Sequence, residues 1–252
     1  MTGRALITGA SSGIGAALSR RLALRGYEVW LAARRLPELE AAARAIESEG
    51  GRARALALDV SKPEAAGETV AALDREIGGF DLVVANAGVG GPQKPVAQQT
   101  LAAFRDVIEV NLLGAVATIL AVVPGMVARG RGHVVGVSSL AGECPLPTGA
   151  DYGTSKAALS FFLASAASDL IPRGVWVTDV HPGFVRTPLT AKNKFPMPFL
   201  VELDEAARII DRGIERKKRV VRFPGPLGAA ITGGNLLPVA WRDALINRNR
   251  PI

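Results

Sequence analysis

Tyr152 and Lys156 stand four residues apart in Asp151-Tyr152-Gly153-Thr154-Ser155-Lys156, and Ser139 lies thirteen residues upstream. On a helix, positions i and i+4 share a face, so a phenol and an ammonium at this spacing point into one site. A phenol titrates near pH 10 and holds its proton too tightly to exchange it at neutral pH. A neighbouring ammonium favours the phenolate and lowers that value, so the pair has the parts of a tuned general acid/base. Taken alone, such a pair on a long helix is more often a solvated face. The rest of the chain decides between the two.

At the N-terminus, the apolar run Arg4-Ala5-Leu6-Ile7 leads into Thr8-Gly9-Ala10-Ser11-Ser12-Gly13-Ile14-Gly15, and Ala16 to Leu24 reads as a helix closed by Arg25 and Gly26. A strand, a glycine turn and a helix N-terminus make a phosphate-binding unit. The glycines admit a tight turn and let a pyrophosphate approach the backbone, while the free N–H groups and dipole of the helix face its charge. The spacing is Gly-x-x-x-Gly-x-Gly rather than Gly-x-Gly-x-x-Gly.

Taken together, these motifs resemble those of the short-chain dehydrogenase/reductase family. Thr8 to Gly15 is similar to its cofactor loop, with Gly9, Ser11, Ser12, Gly13, Ile14 and Gly15 as implied contacts. Asp59-Val60 resembles the acidic pair that meets the adenine. Asn86-Ala87-Gly88 resembles the Asn-Ala-Gly element, with Ala85 in place of its usual first Asn. Asn111 matches the helix asparagine of a catalytic tetrad completed by Ser139, Tyr152 and Lys156, and Ser139 fits the thirteen-residue separation better than Ser138. Pro182-Gly183-Phe184-Val185-Arg186-Thr187 resembles the Pro-Gly element that receives the nicotinamide, and implies contacts from Pro182, Gly183, Val185 and Thr187. The resemblance runs from about residue 4 to 190.

The elements that must position these residues can be read independently. Apolar strand candidates sit at 4–8, 28–33, 53–58, 81–85, 133–138, 175–180 and 219–223. Helical stretches lie near 13–25, 37–49, 62–77, 98–129, 151–171 and 202–217. Alternating strands and helices imply right-handed crossovers and a parallel sheet covered on both faces. The expectation is an α/β, Rossmann-type, doubly wound sheet of seven parallel strands in a single domain spanning 1–252, with 188–252 as a variable substrate-loop and tail region. Its cofactor crevice would lie beyond the strand C-termini where the strand order reverses.

Strand two ends in Leu31-Ala32-Ala33-Arg34-Arg35. An acid there would accept a ribose 2′-hydroxyl and repel a 2′-phosphate. Ala33 with Arg34 and Arg35 instead suits a 2′-phosphate, so NADP(H) is expected over NAD(H). A solvated arginine pair is the plain alternative. The resemblance implies hydride transfer between the nicotinamide and a carbonyl or alcohol carbon. Tyr152 would exchange the proton and Ser139 would bond the reacting oxygen. Lys156 would lower the Tyr152 pKa and anchor the ribose, and Asn111 would hold a water. Tyr152 and Lys156 thus count among both catalytic and cofactor contacts. His181 reads most simply as a backbone-turn residue.

A chain of 252 residues with 48% hydrophobic content suits one double-sided core. A lone cysteine, Cys144, cannot form an internal disulfide, which favours a reducing, cytoplasmic compartment. A strand beginning by Arg4 leaves no room for a signal peptide, no run of about 18 uninterrupted apolar residues suggests a bilayer span, and two histidines with one cysteine suggest no metal site. From Arg208 onward, ten Lys/Arg face three acids, a surplus of +7 that equals the net charge of the whole chain. Phe223 to Trp241, within that region, is apolar but broken by proline and glycine. Ile231-Thr232-Gly233-Gly234 is similar to a family element that precedes a last strand, yet Val220 to Phe223 is the better strand. The tail could cover an apolar substrate, rest on an anionic membrane surface, or pack with its basic side chains solvated. Nucleic acid is not expected, because no aromatic platform accompanies the charge. The partners expected are a small carbonyl or alcohol, apolar in character, and a second copy of the chain packed through the long helices at 98–129 and 151–171. Non-catalytic NADP(H) sensing and a membrane-peripheral scaffold are the alternatives.

Overall fold

A computed structural model describes residues 3–193 and 195–248, with side chains as far as residue 244. Seven strands, β1 (Arg4–Thr8), β2 (Glu28–Ala33), β3 (Arg52–Ala57), β4 (Leu82–Ala85), β5 (Gly132–Val137), β6 (Val175–Pro182) and β7 (Val220–Phe223), form one parallel sheet in the order β3-β2-β1-β4-β5-β6-β7. The order reverses between β1 and β4, which opens a crevice beyond their C-terminal ends. The helices are α1 (Gly13–Leu24), α2 (Leu36–Ser48), α3 (Pro63–Glu76), α4 (Leu101–Ile108), α5 (Gly114–Arg129), α6 (Ala150–Leu170), α7 (Leu203–Glu215), α8 (Gly225–Asn235) and α9 (Val239–Arg248).

The sheet buries both faces, as near-continuous apolar strands require. On one side Ile7, Leu31, Val84, Val135 and Val180 meet Leu18, Leu22, Leu39 and Ile210 from α1, α2 and α7. On the other, Leu6, Val83, Val134 and Val177 meet Val70, Ile119, Val122 and Leu163 from α3, α5 and α6. Trp30 and Phe80 pack edge to face in this second layer, with ring centroids 5.4 Å apart.

The stretch at 98–129 is a continuous 29-residue helical run from Leu101 to Arg129 with a mean hydropathy of 2.1 over its most apolar window, long and apolar enough to cross a bilayer. Its inner side, with Ala115, Thr118, Ile119, Val122 and Met126, is buried against α3 and the sheet, the packing of a core helix. The tail, read as broken by proline and glycine, forms α8 and α9. Pro226 falls at the start of α8, where its missing N–H costs nothing. The exposed Leu236, Val239 and Trp241 show that the tail's apolar side chains do not all find partners within the described chain. Arg208, Arg212, Arg216, Lys218 and Arg222 line a groove of about 300 Å³ between α7 and β7, while Arg250 lies outside the described residues.

Candidate active site

At the switch point, β1 and β4 are tied together by Thr8 and Asn86. The Asn86 and Ala87 backbone N–H groups both donate to Thr8 Oγ1 at 3.1 Å, and Asn86 Nδ2 donates to the Thr8 carbonyl at 2.9 Å. The Asn86 amide therefore holds the loop in shape. Two glycines have no room for a side chain: a Cβ on Gly9, whose φ is +69°, would stand 2.8 Å from Ala87 Cα, and one on Gly15 would stand 2.5 Å from the Gly9 carbonyl oxygen. Ser12 precedes α1 without capping it, and its first turn carries no acid, so the helix N-terminus faces the cavity with its donors uncompensated. Ser11, Gly13, Ile14, Val60, Ala87 and Gly88 line the same cavity of about 450 Å³.

The two arginines after β2 separate. Arg35 donates to Ser11 Oγ at 2.9 Å and pairs with Glu38 at 3.3 Å. Arg34 is exposed, lines the cavity and makes no ion pair among the described residues. Burial pushes the Asp59 carboxyl up, but Ser61, whose N–H and hydroxyl donate to it, together with Arg34 and Lys62, holds it below the usual range. This end of the cavity offers a positive edge, a fixed carboxylate and an uncapped helix terminus. That donor set fits an adenosine 2′-phosphate and a pyrophosphate.

Asn111, Ser139, Tyr152 and Lys156 come together at the other end. Asn111 sits in a wide π-helical turn, Glu109–Leu113, between α4 and α5, a distortion that re-aims a side chain out of a regular helix. Fully buried, it accepts from the Val89 N–H at 2.8 Å and donates to the Val89 carbonyl and Ser155 Oγ, both at 3.0 Å. Ser155 in turn donates to the Tyr152 carbonyl at 2.7 Å. Lys156 is buried, with Nζ donating to the Val137 carbonyl at 2.8 Å and standing 5.8 Å from the Tyr152 ring centroid. Ser139 follows β5 and accepts from the Ala141 N–H at 3.1 Å. Ser138 is turned away, its one hydroxyl hydrogen shared between Asp179 Oδ1 at 2.5 Å and the Val180 carbonyl at 2.9 Å.

The electrostatics differ from the sequence expectation. In the cofactor-free chain the net shift of Tyr152 is upward: burial raises the half-buried phenol, opposed by the Ser139 hydroxyl. Burial acts on the ammonium too, bringing Lys156 down to about 8 against the pull of the Asp179 carboxylate. The site is dry enough to disfavour either charge, so the pair is tuned by desolvation more than by mutual attraction.

Pro182, Gly183, Val185 and Thr187 line the cavity, and the segment after them folds back. The Arg186 N–H donates to the Val201 carbonyl and the Val201 N–H to the Phe184 carbonyl, both at 2.9 Å. Pro188, Leu189, Thr190 and Lys192 in this returning loop face the cavity. Among the described residues none from 223–241 lines it, contrary to a tail that covers the substrate. The tail sits behind the site: Asn235 Nδ2 donates to the Glu143 carbonyl at 2.7 Å, and Leu227 packs on Gly183. Thr8, read only as the first residue of the cofactor loop, and Ser155, which sequence reasoning missed, organise the site without lining its open space. Only their positions beside Gly9 and Lys156 mark them.

The short chain dehydrogenase profile matches residues 4–196. An uncharacterized oxidoreductase of Myxococcus xanthus is 47% identical over 246 residues, covering 98% of this chain and 97% of the relative. A short-chain dehydrogenase from Sphingobium yanoikuyae, solved in complex with NADPH, superposes with a TM-score of 0.84 at 29% identity over 98% of this chain and 96% of that one. A metagenomic short-chain oxidoreductase in complex with NADP gives 0.72 at 35% identity over 82% and 88%. With its parallel sheet, glycine loop and clustered Asn, Ser, Tyr and Lys, the chain belongs to the short-chain dehydrogenase/reductase family.

Proposed function

We propose that the chain, an NAD(P)-dependent oxidoreductase by family membership, is an NADP(H)-dependent carbonyl reductase or alcohol dehydrogenase with Tyr152 as general acid and base. The observation that carries this reading is the convergence of Ser139, Tyr152 and Lys156, with Asn111 buried close behind, on one end of a cavity whose other end is an uncapped helix N-terminus beside Arg34.

NADPH, when bound, supplies the hydride. In the reductive direction Tyr152 gives its phenolic proton to the oxygen that gains charge, and the Ser139 hydroxyl donates to that oxygen and fixes its position. A phenol held up by burial is a stable donor at neutral pH, because it stays protonated until the substrate oxygen demands the proton. Lys156, charged below about pH 8, favours the resulting phenolate. Asn111 anchors the Val89 backbone and Ser155, holding the floor of the site and the Tyr152 turn in register.

In the returning loop Leu189 is exposed and lines the cavity, and Phe199 is exposed as well. They favour an apolar carbonyl over a sugar, since uncovered apolar area of this kind gains from burying a like surface. A panel of aliphatic and aromatic ketones, aldehydes and free sugars, followed by loss of NADPH absorbance, tests the proposal. Turnover concentrated among the apolar carbonyls is expected. NADPH binding with no turnover across the panel would favour a sensor.

A further inference from the structure

Behind the catalytic serine lies a buried set of charged groups that the proposed chemistry does not use. His181 is 4% exposed and sits between two carboxylates. Its Nε2 is 2.7 Å from Asp179 Oδ2, and its Nδ1 is 2.5 Å from Glu143 Oε1, too bent for a linear hydrogen bond. The protons on this ring can be counted. Ser160 Oγ gives its hydrogen to Asp179 Oδ2 at 2.6 Å, so toward His181 Nε2, 3.3 Å away, it can only accept. Nε2 therefore carries a proton. Nδ1 faces a carboxylate oxygen, and a lone pair there would oppose the oxygen's own lone pairs at contact distance. Protonated at both nitrogens, the ring faces each carboxylate as a cation, with Nδ1 meeting Glu143 through charge at contact distance rather than through a formed hydrogen bond.

We propose that His181 is held as an imidazolium between Asp179 and Glu143, and that it is a positioning residue which fastens the turn after Ser139 to the Pro182–Gly183 bend. The placement of the cluster is what gives it this role. Glu143 closes the short turn that Ser139 opens, and Pro182–Gly183, the expected nicotinamide contact, follows His181 directly. Asp179 accepts from Ser138, the neighbour of Ser139, and its charge reaches Lys156. Arg222 of β7 donates to the same Glu143 Oε1 at 2.7 Å, and Asn235 of α8 to the Glu143 carbonyl.

The groups that face the cluster are Asp179 from β6, Ser138 and Glu143 with the adjoining Cys144 from the segment after β5, Lys156 and Ser160 from α6, Arg222 from β7, and Arg242 of α9 beside Cys144. Two carboxylates are balanced by His181 and Arg222, with Lys156 close by. Burial pushes the Asp179 carboxyl up, yet His181, Ser138 and Ser160 keep it below the usual range, as a carboxylate bonded by a cation should behave. A neutral imidazole would leave Glu143 paired with Arg222 alone, remove its charged tie to β6 and loosen the turn that carries Ser139.

The positioning role rests on the oxidoreductase reading; the protonation state does not, and the two are read separately. The chain has two histidines. His133 Nε2 lies 2.8 Å from Thr178 Oγ1, which itself donates to the Lys218 carbonyl, so His133 donates through Nε2; burial lowers it to about 4. In a ¹⁵N-histidine NMR spectrum of the full chain at pH 7, His133 should show one protonated and one bare nitrogen, and His181 two protonated ones. His181→Asn assigns the signals. A bare nitrogen on His181 would overturn the imidazolium. With NADPH and the best carbonyl of the panel, Glu143→Ala should lower kcat about tenfold, on the scale of one lost charge-assisted hydrogen bond, with the NADPH Kd within about twofold. Glu143→Gln, whose amide can donate to a neutral Nδ1, should recover most of that loss and show a bare Nδ1 in the spectrum. An unchanged kcat in Glu143→Ala, or a Gln variant as impaired as the Ala one, would overturn the positioning role whatever the spectrum shows.

Discussion

Lys156→Met should make the cofactor-free protein more stable while abolishing most of its turnover. Lys156 is 3% exposed, and its Nζ hydrogen bond is to the Val137 carbonyl. Burial brings its ammonium from 10.5 down to about 8, which corresponds to a penalty on the charged form of roughly 3 kcal/mol. Methionine fills a similar volume without that penalty. Against it stand a Val137 carbonyl left without its donor, at about 1 kcal/mol, and an Asp179 carboxylate that loses a nearby cation. The net gain is about 1–2 kcal/mol, a rise in Tm of roughly 2–8 °C for a chain of this size. The sign with pH follows from the direction of the shift. The folded value lies below the unfolded one, so the wild-type penalty is fully present below about pH 8 and disappears as pH rises toward 10.5. The Tm advantage of the variant should therefore be largest at pH 7 and vanish by about pH 10. Thermal unfolding followed by circular dichroism at both pH values, without cofactor, measures it. A variant less stable than wild type at pH 7, or a difference independent of pH, would refute the desolvation argument.

Arg34→Asp should move preference from NADPH toward NADH by about 10- to 150-fold, the worth of one charge-assisted contact, read as the ratio of kcat/KM for the two cofactors; an unchanged ratio points to Arg35 instead. Ser139→Ala should lower kcat by about 10²–10³, as loss of one donor to a developing oxyanion does, with little change in Tm, and wild-type kcat in that variant would remove Ser139 from the chemistry. The chain should sediment as a dimer through α5 and α6, whose Leu120 and Phe161 are exposed. Leu120→Glu combined with Phe161→Glu should leave one-chain species, and a one-chain mass for wild type at micromolar concentration would contradict the pairing.

Strand positions were readable to within two residues because runs such as Leu82–Ala85 are apolar on both faces and are bounded by polar turns. The cofactor loop was readable because Gly9 and Gly15 stand where the backbone itself must approach. The helix α8 was not. Four glycines in eleven residues argue against a helix locally, each by about 1 kcal/mol, and only its anchoring on Gly183 and the Glu143 carbonyl opposes that cost. The behaviour of Tyr152 and Lys156 was legible as spacing and illegible as charge, because desolvation depends on what α6 is packed against. His181, read as a turn residue, shows the same limit: its partners Asp179 and Glu143 lie on different elements, and only the fold brings both to one ring.

The central claim is that Tyr152 supplies the proton. Single-turnover oxidation of bound NADPH by the preferred carbonyl, compared between wild type and Tyr152→Phe, tests it most directly, because the substitution removes one hydroxyl and leaves the ring packed beside Lys156. The account predicts an NADPH Kd within about threefold of wild type and a rate lower by about 10²–10⁴, the worth of a positioned general acid. A Tyr152→Phe rate within a few-fold of wild type would contradict it.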